Sequence, residues 1–186
     1  MKRDYEKILE FWFEKSEKSA WFRPDQLFDK KIKTKFGKLL EKAKLGEMEN
    51  WKGIPESSLA LIILLDQFSR NIYRENPKAF ESDEQALRIA KESIEKGFDK
   101  LASLERRIFF YMPFMHSENI KNQKFSVRIF RELSEKDIKF KINLDFAIKH
   151  MGIIKRFGRF PHRNKILGRK STKEETEFLK KEGRGF

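Results

Sequence analysis

Apolar residues along this chain recur every three or four positions, and almost none alternate as strand residues would. Ile8, Leu9, Trp12 and Phe13 fall on one side of a first predicted helix that starts at about Asp4. The turn Ser19-Ala20-Trp21-Phe22-Arg23-Pro24 separates it from a second. That second helix carries Leu27, Phe28, Ile32, Phe36, Leu39, Leu40 and Ala43, and Gly46 supplies a left-handed stop. Trp51 to Pro55 reads as a loop, with Ser57 or Ser58 as the next cap. The third helix, Leu59 to about Tyr73, begins apolar nearly all round, the mark of a central buried element. Asn76-Pro77 breaks it.

Ser82 and Gln85 then have capping-box spacing ahead of Ala86, Leu87, Ala90 and Ile94, and Gly97 ends that fourth helix. Ser103 opens another through Phe109, Phe110 and Tyr111, which Pro113 kinks or ends. Two further helices cover residues 118–133 and about 138–157, and Gly158 terminates the second. Thr172 and Glu175 form a capping box for a last short helix, with Gly183 behind it. The pattern predicts an all-α protein of seven or eight helices, stacked as antiparallel helical hairpins in one domain spanning residues 1–186. Ala86, Leu87, Ala90 and Ile94 ahead of Gly97 loosely echo the small-residue pattern of tetratricopeptide helices, without a clean 34-residue repeat.

Composition narrows the classes. Hydrophobic residues at 39%, with nineteen Phe, exclude a disordered chain despite 38% charged residues. With no cysteine there is neither a disulfide framework nor a thiolate metal site. The opening MKRDYEKILEFWF turns charged and aromatic at once, unlike a signal peptide. The longest apolar run, Leu59 to Leu65, has seven residues against the roughly 20 that span a bilayer. These features predict a soluble, cytoplasmic protein without a membrane span. The formal charge of +13 attracts nucleic acid, acidic surfaces or anionic metabolites, although much of it is lysine scattered over helix faces.

Three polar clusters interrupt this apolar pattern. In Asp66-Gln67-Phe68-Ser69-Arg70-Asn71-Ile72-Tyr73-Arg74, Asp66, Arg70 and Arg74 share one helix face with Leu59, Ile62 and Ile63, so Asp66 faces protein and needs a partner. In Pro113-Phe114-Met115-His116-Ser117-Glu118, Ser117 and Glu118 suit the start of a helix, and His116 is left for ligand binding or proton transfer. The run from His150 to Asn164 is poor in lysine. It sets His150, Arg156, Arg159, His162, Arg163 and Asn164 among Phe157, Phe160, Gly158 and Pro161. A guanidinium presents a planar five-donor fork that grips a carboxylate or phosphate at two points, so this loop reads as an anion cradle. Its structural counterpart is a set of internal pairs with Asp66 or Glu118.

Other chemistry finds no pattern. The histidines come from separate segments with no HExxH or HxH spacing, so neither metal nor cofactor is expected. No G-x-S-x-G, glycine-rich phosphate loop or paired-carboxylate arrangement is present. The reading favoured is a binding module in which Asp66, Arg70, Arg74, His116, Glu118, His150, Arg156, Arg159, His162, Arg163 and Asn164 line a polar pocket for an anionic small molecule or an acidic peptide end. The alternatives are a hydrolase-type enzyme using His116 or His162 as general acid/base, and RNA or other nucleic-acid binding.

The motifs Leu64-Leu65-Asp66-Gln67-Phe68-Ser69-Arg70-Asn71-Ile72-Tyr73-Arg74, Pro113-Phe114-Met115-His116-Ser117-Glu118 and Arg156-Phe157-Gly158-Arg159-Phe160-Pro161-His162-Arg163-Asn164 together resemble the family called domain of unknown function 924. Phe11-Trp12-Phe13, Trp21-Phe22, Leu167-Gly168-Arg169 and Ser171-Thr172 with Glu174-Glu175 fit the same pattern, over essentially the whole chain. The resemblance implies an all-α, tetratricopeptide-like fold and no established activity.

Overall fold

The computed structural model describes residues 2–183. It is 76% helix, with no strand among the described residues. The chain falls into two compact units, residues 1–110 and 111–186.

In the first unit, α1 (Asp4–Phe13) packs on α3 (Pro55–Ile63), and α2 (Gln26–Lys44) packs on the segment that follows α3. Asp25 caps α2, its carboxylate accepting the Leu27 and Phe28 amides. Gly46 closes that helix at φ 79°, with its N–H on the Ala43 carbonyl and that of Glu47 on Lys42. This is a Schellman stop that a residue with a Cβ would strain. The third helix differs from expectation at its start. It begins at Pro55, where the fixed proline φ suits a first turn. Ser57 and Ser58 therefore lie inside the helix and do not cap it; both are buried, and both hydroxyls donate to the Trp51 carbonyl.

The expected uninterrupted helix to Tyr73 is also divided. After α3 come a π-helical turn, Leu64–Phe68, and then α4 (Ser69–Ile72). Such widened turns are rare and often mark functional segments. Next come α5 (Asp83–Glu95) and the short α6 (Phe98–Leu101). The Ser82–Gln85 box does not form: Ser82 Oγ lies 3.2 Å from Ser69 Oγ, and the Gln85 amide donates to the Ala43 carbonyl. Tertiary partners outbid the local cap.

The core of this unit is aromatic. Trp12, fully buried, lies against Trp21, Phe28, Phe68 and Phe109, with ring centroids 5.4–6.0 Å apart. The indole of Trp21 donates to the Trp12 carbonyl at 3.0 Å.

Ser103 caps α7 (Leu104–Met115) by accepting the Arg106 amide, and this helix carries the chain into the second unit. Pro113 does not end it; the proline is absorbed in the final turn. There α8 (Ile120–Lys136) and α9 (Lys141–Phe157) pack along each other, joined by the 3-10 turn Ile138–Phe140. Asn119, not Ser117, caps α8, and Ser117 instead accepts from Asn122. Gly158, at φ 71°, ends α9 as predicted and launches the loop toward α10 (Lys173–Glu182). Thr172 and Glu175 make the expected capping box. Among the described residues no helix is long and apolar enough to cross a membrane.

Phe68 and Phe22 give a direct test of this core. Phe68→Ala removes a fully buried ring and should cost about 3–5 kcal/mol in urea denaturation. Phe22→Ala, at a side chain 58% exposed, should change stability by no more than about 0.5 kcal/mol.

Candidate functional site

The second unit brings together all three histidines of the chain. His116 follows the last turn of α7, His150 sits in α9, and His162 lies in the 3-10 turn Pro161–Arg163. Two of them, His150 and His162, lie against the buried Phe160 ring. His150 stands edge-on to it at 5.5 Å between centroids, and His162 lies 5.6 Å away. The Arg163 guanidinium is 4.6 Å from the ring centre. His116 and His150 are 6.5 Å apart, and Arg163 Nη2 donates to the His116 carbonyl at 3.0 Å. His116 and His162 keep intermediate exposure, whereas His150 and Arg163 are buried.

Burial pushes the His150 imidazole down to about 3. The Phe146 carbonyl opposes this, and His116, Arg163 and His162 push in the same direction as burial. At neutral pH His150 is therefore uncharged. A carbonyl only accepts, so the imidazole proton sits on Nδ1, donated to Phe146 O at 2.8 Å.

Two carboxylates hold the loop that carries this cluster. Glu118 accepts both Arg169 terminal nitrogens, at 2.6 and 2.9 Å, and the Phe160 amide at 2.8 Å. Burial works to raise its pKa, but Arg169 and the Phe160 amide together hold it below the ordinary range. Glu175, 2% exposed, accepts the Arg159 fork at 2.7 and 2.8 Å, the Thr172 amide at 2.8 Å and Asn164 Nδ2 at 3.2 Å. The Arg159 fork is the main cause that brings the Glu175 carboxyl down to about 2, against the effect of burial. Asn164, fully buried, links the two clamps by accepting Arg169 Nε at 2.9 Å. Arg156 pairs with Glu174 at the surface.

The expected internal partners of these arginines were Asp66 or Glu118. Arg156 and Arg159 are held instead by Glu174 and Glu175 of the following helix, and Glu118 takes Arg169. Residue spacing supplied no signal for these choices. Arg169 and Glu175 were visible only as a motif residue and a helix cap, and Phe160 only as a core ring.

Asp66, Arg70 and Arg74 belong to the first unit. Asp66, 1% exposed, lies in the π-turn and receives the Arg70 guanidinium at 3.1 Å and the Gln67 amide at 2.6 Å. Arg70 also spans both oxygens of Asp83, at 2.9 and 3.0 Å. Burial opposes charge on Arg70, but Asp66 and Asp83 prevail and raise its pKa. Arg74 takes Asp29 in a two-point grip, with Asn71 on the same carboxylate. Among the described residues no group of three His, Cys, Asp or Glu side chains is arranged to hold a metal ion.

A helical protein with its three histidines gathered near Phe160 and Arg159 and Arg169 clamped by carboxylates defines a structural class but no known reaction. The chain belongs to the family described as bacterial protein of unknown function (DUF924), whose profile matches residues 8–183. It is similar to a solved structure of a protein of unknown function from Agrobacterium tumefaciens, with 38% identity and a TM-score of 0.88. That match covers 94% of this chain and 96% of the other. No curated protein matches it significantly.

Two stability tests follow from the clamps. Glu175→Gln should cost about 3 kcal/mol, because it strands Arg159 and weakens the Thr172 and Asn164 contacts. Arg159→Met combined with Glu175→Gln should recover part of that loss in a double-mutant cycle. The acid limb is the second test. An unfolded histidine titrates near about 6.5 and an unfolded glutamate near about 4.3. Below about pH 6.5 the unfolded chain takes a proton that native His150 refuses until about 3, so stability is full above this window and falls as pH drops through it. Glu175 adds a further loss between about pH 4.3 and about 2. His150→Phe should flatten the urea midpoint between about pH 6.5 and pH 5.

Proposed function

We propose that this protein is a binding module, and that its site for an anionic small molecule or the acidic end of a peptide is built on His116, His162 and Arg163 around Phe160. The observation that carries this reading is the gathering of three imidazoles and one guanidinium from three separate segments: His150, His162 and Arg163 lie against the Phe160 ring, and His116 joins them through His150 and Arg163. Burial is the main reason His150 stays neutral, and His116, Arg163 and His162 add to it, because each positive group there disfavours charge on its neighbours. An anion relieves that repulsion and favours protonation of His116 and His162, the two imidazoles with solvent access. His150, held neutral and buried, serves as a wall. The Glu118–Arg169 and Glu175–Arg159 clamps fix the loop beforehand, so little ordering cost is left for the ligand. The occupation of Arg156, Arg159 and Arg169 by carboxylates of the same unit puts nucleic acid behind a compact anion.

Histidine-resolved NMR titration with inorganic phosphate, and separately with a short peptide bearing a free carboxyl terminus, tests the proposal. Saturable shifts at His116 and His162 are expected with at least one probe, and their pKa values should rise in its presence. Arg163→Met should weaken that binding at least about tenfold. Absence of any saturable shift with either probe, or an unchanged affinity in a folded Arg163→Met variant, overturns it.

A further inference from the structure

The outward face of α9 carries a feature that neither the core nor the histidine cluster uses. Ile142 and Phe146 on α9, and Ile138 in the 3-10 turn that leads into it, recur every four residues and are 60%, 38% and 75% exposed. They form an apolar stripe in which Ile142 and Phe146 lie one helical turn apart, about 6 Å along the axis. The buried face of the same helix holds Leu144, Ala147, His150 and Ile154, so the stripe is additional to the packing face. Lysines surround it. Lys139 and Lys141 lie beside its first half, and the Lys149 ammonium stands 5.6 Å from the Phe146 ring. Asp137 and Asp145 partly offset them, through Lys139 and Lys141. Lys136, Lys149 and Lys155 carry no ion pair among the described residues. The setting is strongly basic: residues 111–186 contain 19 Lys and Arg against nine Asp and Glu, a formal +10 of the chain's +13.

We propose that this face of α9 docks on an anionic lipid surface, with Ile138, Ile142 and Phe146 entering the headgroup–acyl boundary and Lys139, Lys141 and Lys149 meeting the lipid phosphates. A helix with apolar side chains along one line and lysines beside them lies in the plane of such an interface, and each half of the pattern alone binds weakly. Other occupants fit less well. Two of the three side chains, Ile138 and Ile142, offer no ring for a base to stack on, and Phe146 is the least exposed of the three, so the stripe suits nucleic acid poorly. A second copy would set a basic face against an identical one, and three side chains fall well short of the roughly 800 Å² per partner of a standard interface. This inference is independent of the anion site at His116 and His162.

Sedimentation of the full chain with vesicles tests it, using phosphatidylcholine alone or mixed with phosphatidylglycerol. Binding is expected to the mixed vesicles only and should weaken as salt rises. Ile138→Ser, Ile142→Ser and Phe146→Ser combined should reduce it at least about tenfold, with the helical circular-dichroism signal and melting temperature retained. Lys141→Glu with Lys149→Glu should reduce it comparably. Arg163→Met should leave it unchanged, which separates lipid docking from capture of a free anion. The proposal is overturned by equal binding to both vesicle types, by binding to neither, or by a folded triple serine variant that binds as well as the parent. It is also overturned if the triple variant loses self-association or RNA binding in a chain that ignores vesicles.

Discussion

A carboxylate taken out of water must be met by donors, and that demand organises the polar structure of both units. Glu175 shows it most fully. It is nearly inaccessible, yet its two oxygens receive the Arg159 fork, the Thr172 amide and Asn164. Because those donors come from the loop after α9 and from the start of α10, one side chain fixes where the loop runs. Glu118 does the same from the start of α8, through Arg169 and the Phe160 amide. With the loop held at both ends, Phe160 is placed as the ring against which His150 and His162 lie. Arginine suits this role better than lysine, since its planar fork matches two carboxylate oxygens at once.

The first unit solves the same problem with a different backbone. One of its buried carboxylates, Asp66, lies in a π-turn, and Arg70 bridges it to Asp83 on the next helix. The apolar material around this segment is mostly aromatic, with Phe68 and Phe109 both against Trp12. Rings of this size give strong burial and demanding shape complementarity, so the polar bridges sit in a setting that tolerates little displacement.

The chain's positive charge is also distributed unevenly. Residues 1–110 hold 23 Lys and Arg against 20 Asp and Glu, close to balance, whereas residues 111–186 are strongly basic. The arginines of that basic unit include those engaged by carboxylates, and its lysines are mainly on the surface. The guanidinium groups of Arg159 and Arg169 hold the loop, and the exposed lysines, together with Arg128 and Arg131, set the external field that favours anionic surfaces.

Periodicity alone determined the all-α class, the approximate helix boundaries and the stops at Gly46 and Gly158, because helical spacing, caps and left-handed glycines are local properties. It also placed the polar clusters, since charged residues inside apolar stretches stand out in any one-dimensional reading. The caps at Ser57, Ser82 and Ser117 misled for one shared reason. Each hydroxyl found a partner outside the local capping pattern, and sequence distance does not rank such partners. The same holds for the arginines: which carboxylate satisfies Arg159 or Arg169 depends on the path of a loop between helices. Only the tertiary structure decided those pairings and the gathering of His116 beside His150 and of His150 beside Phe160, because contacts between residues on different elements are set by packing geometry.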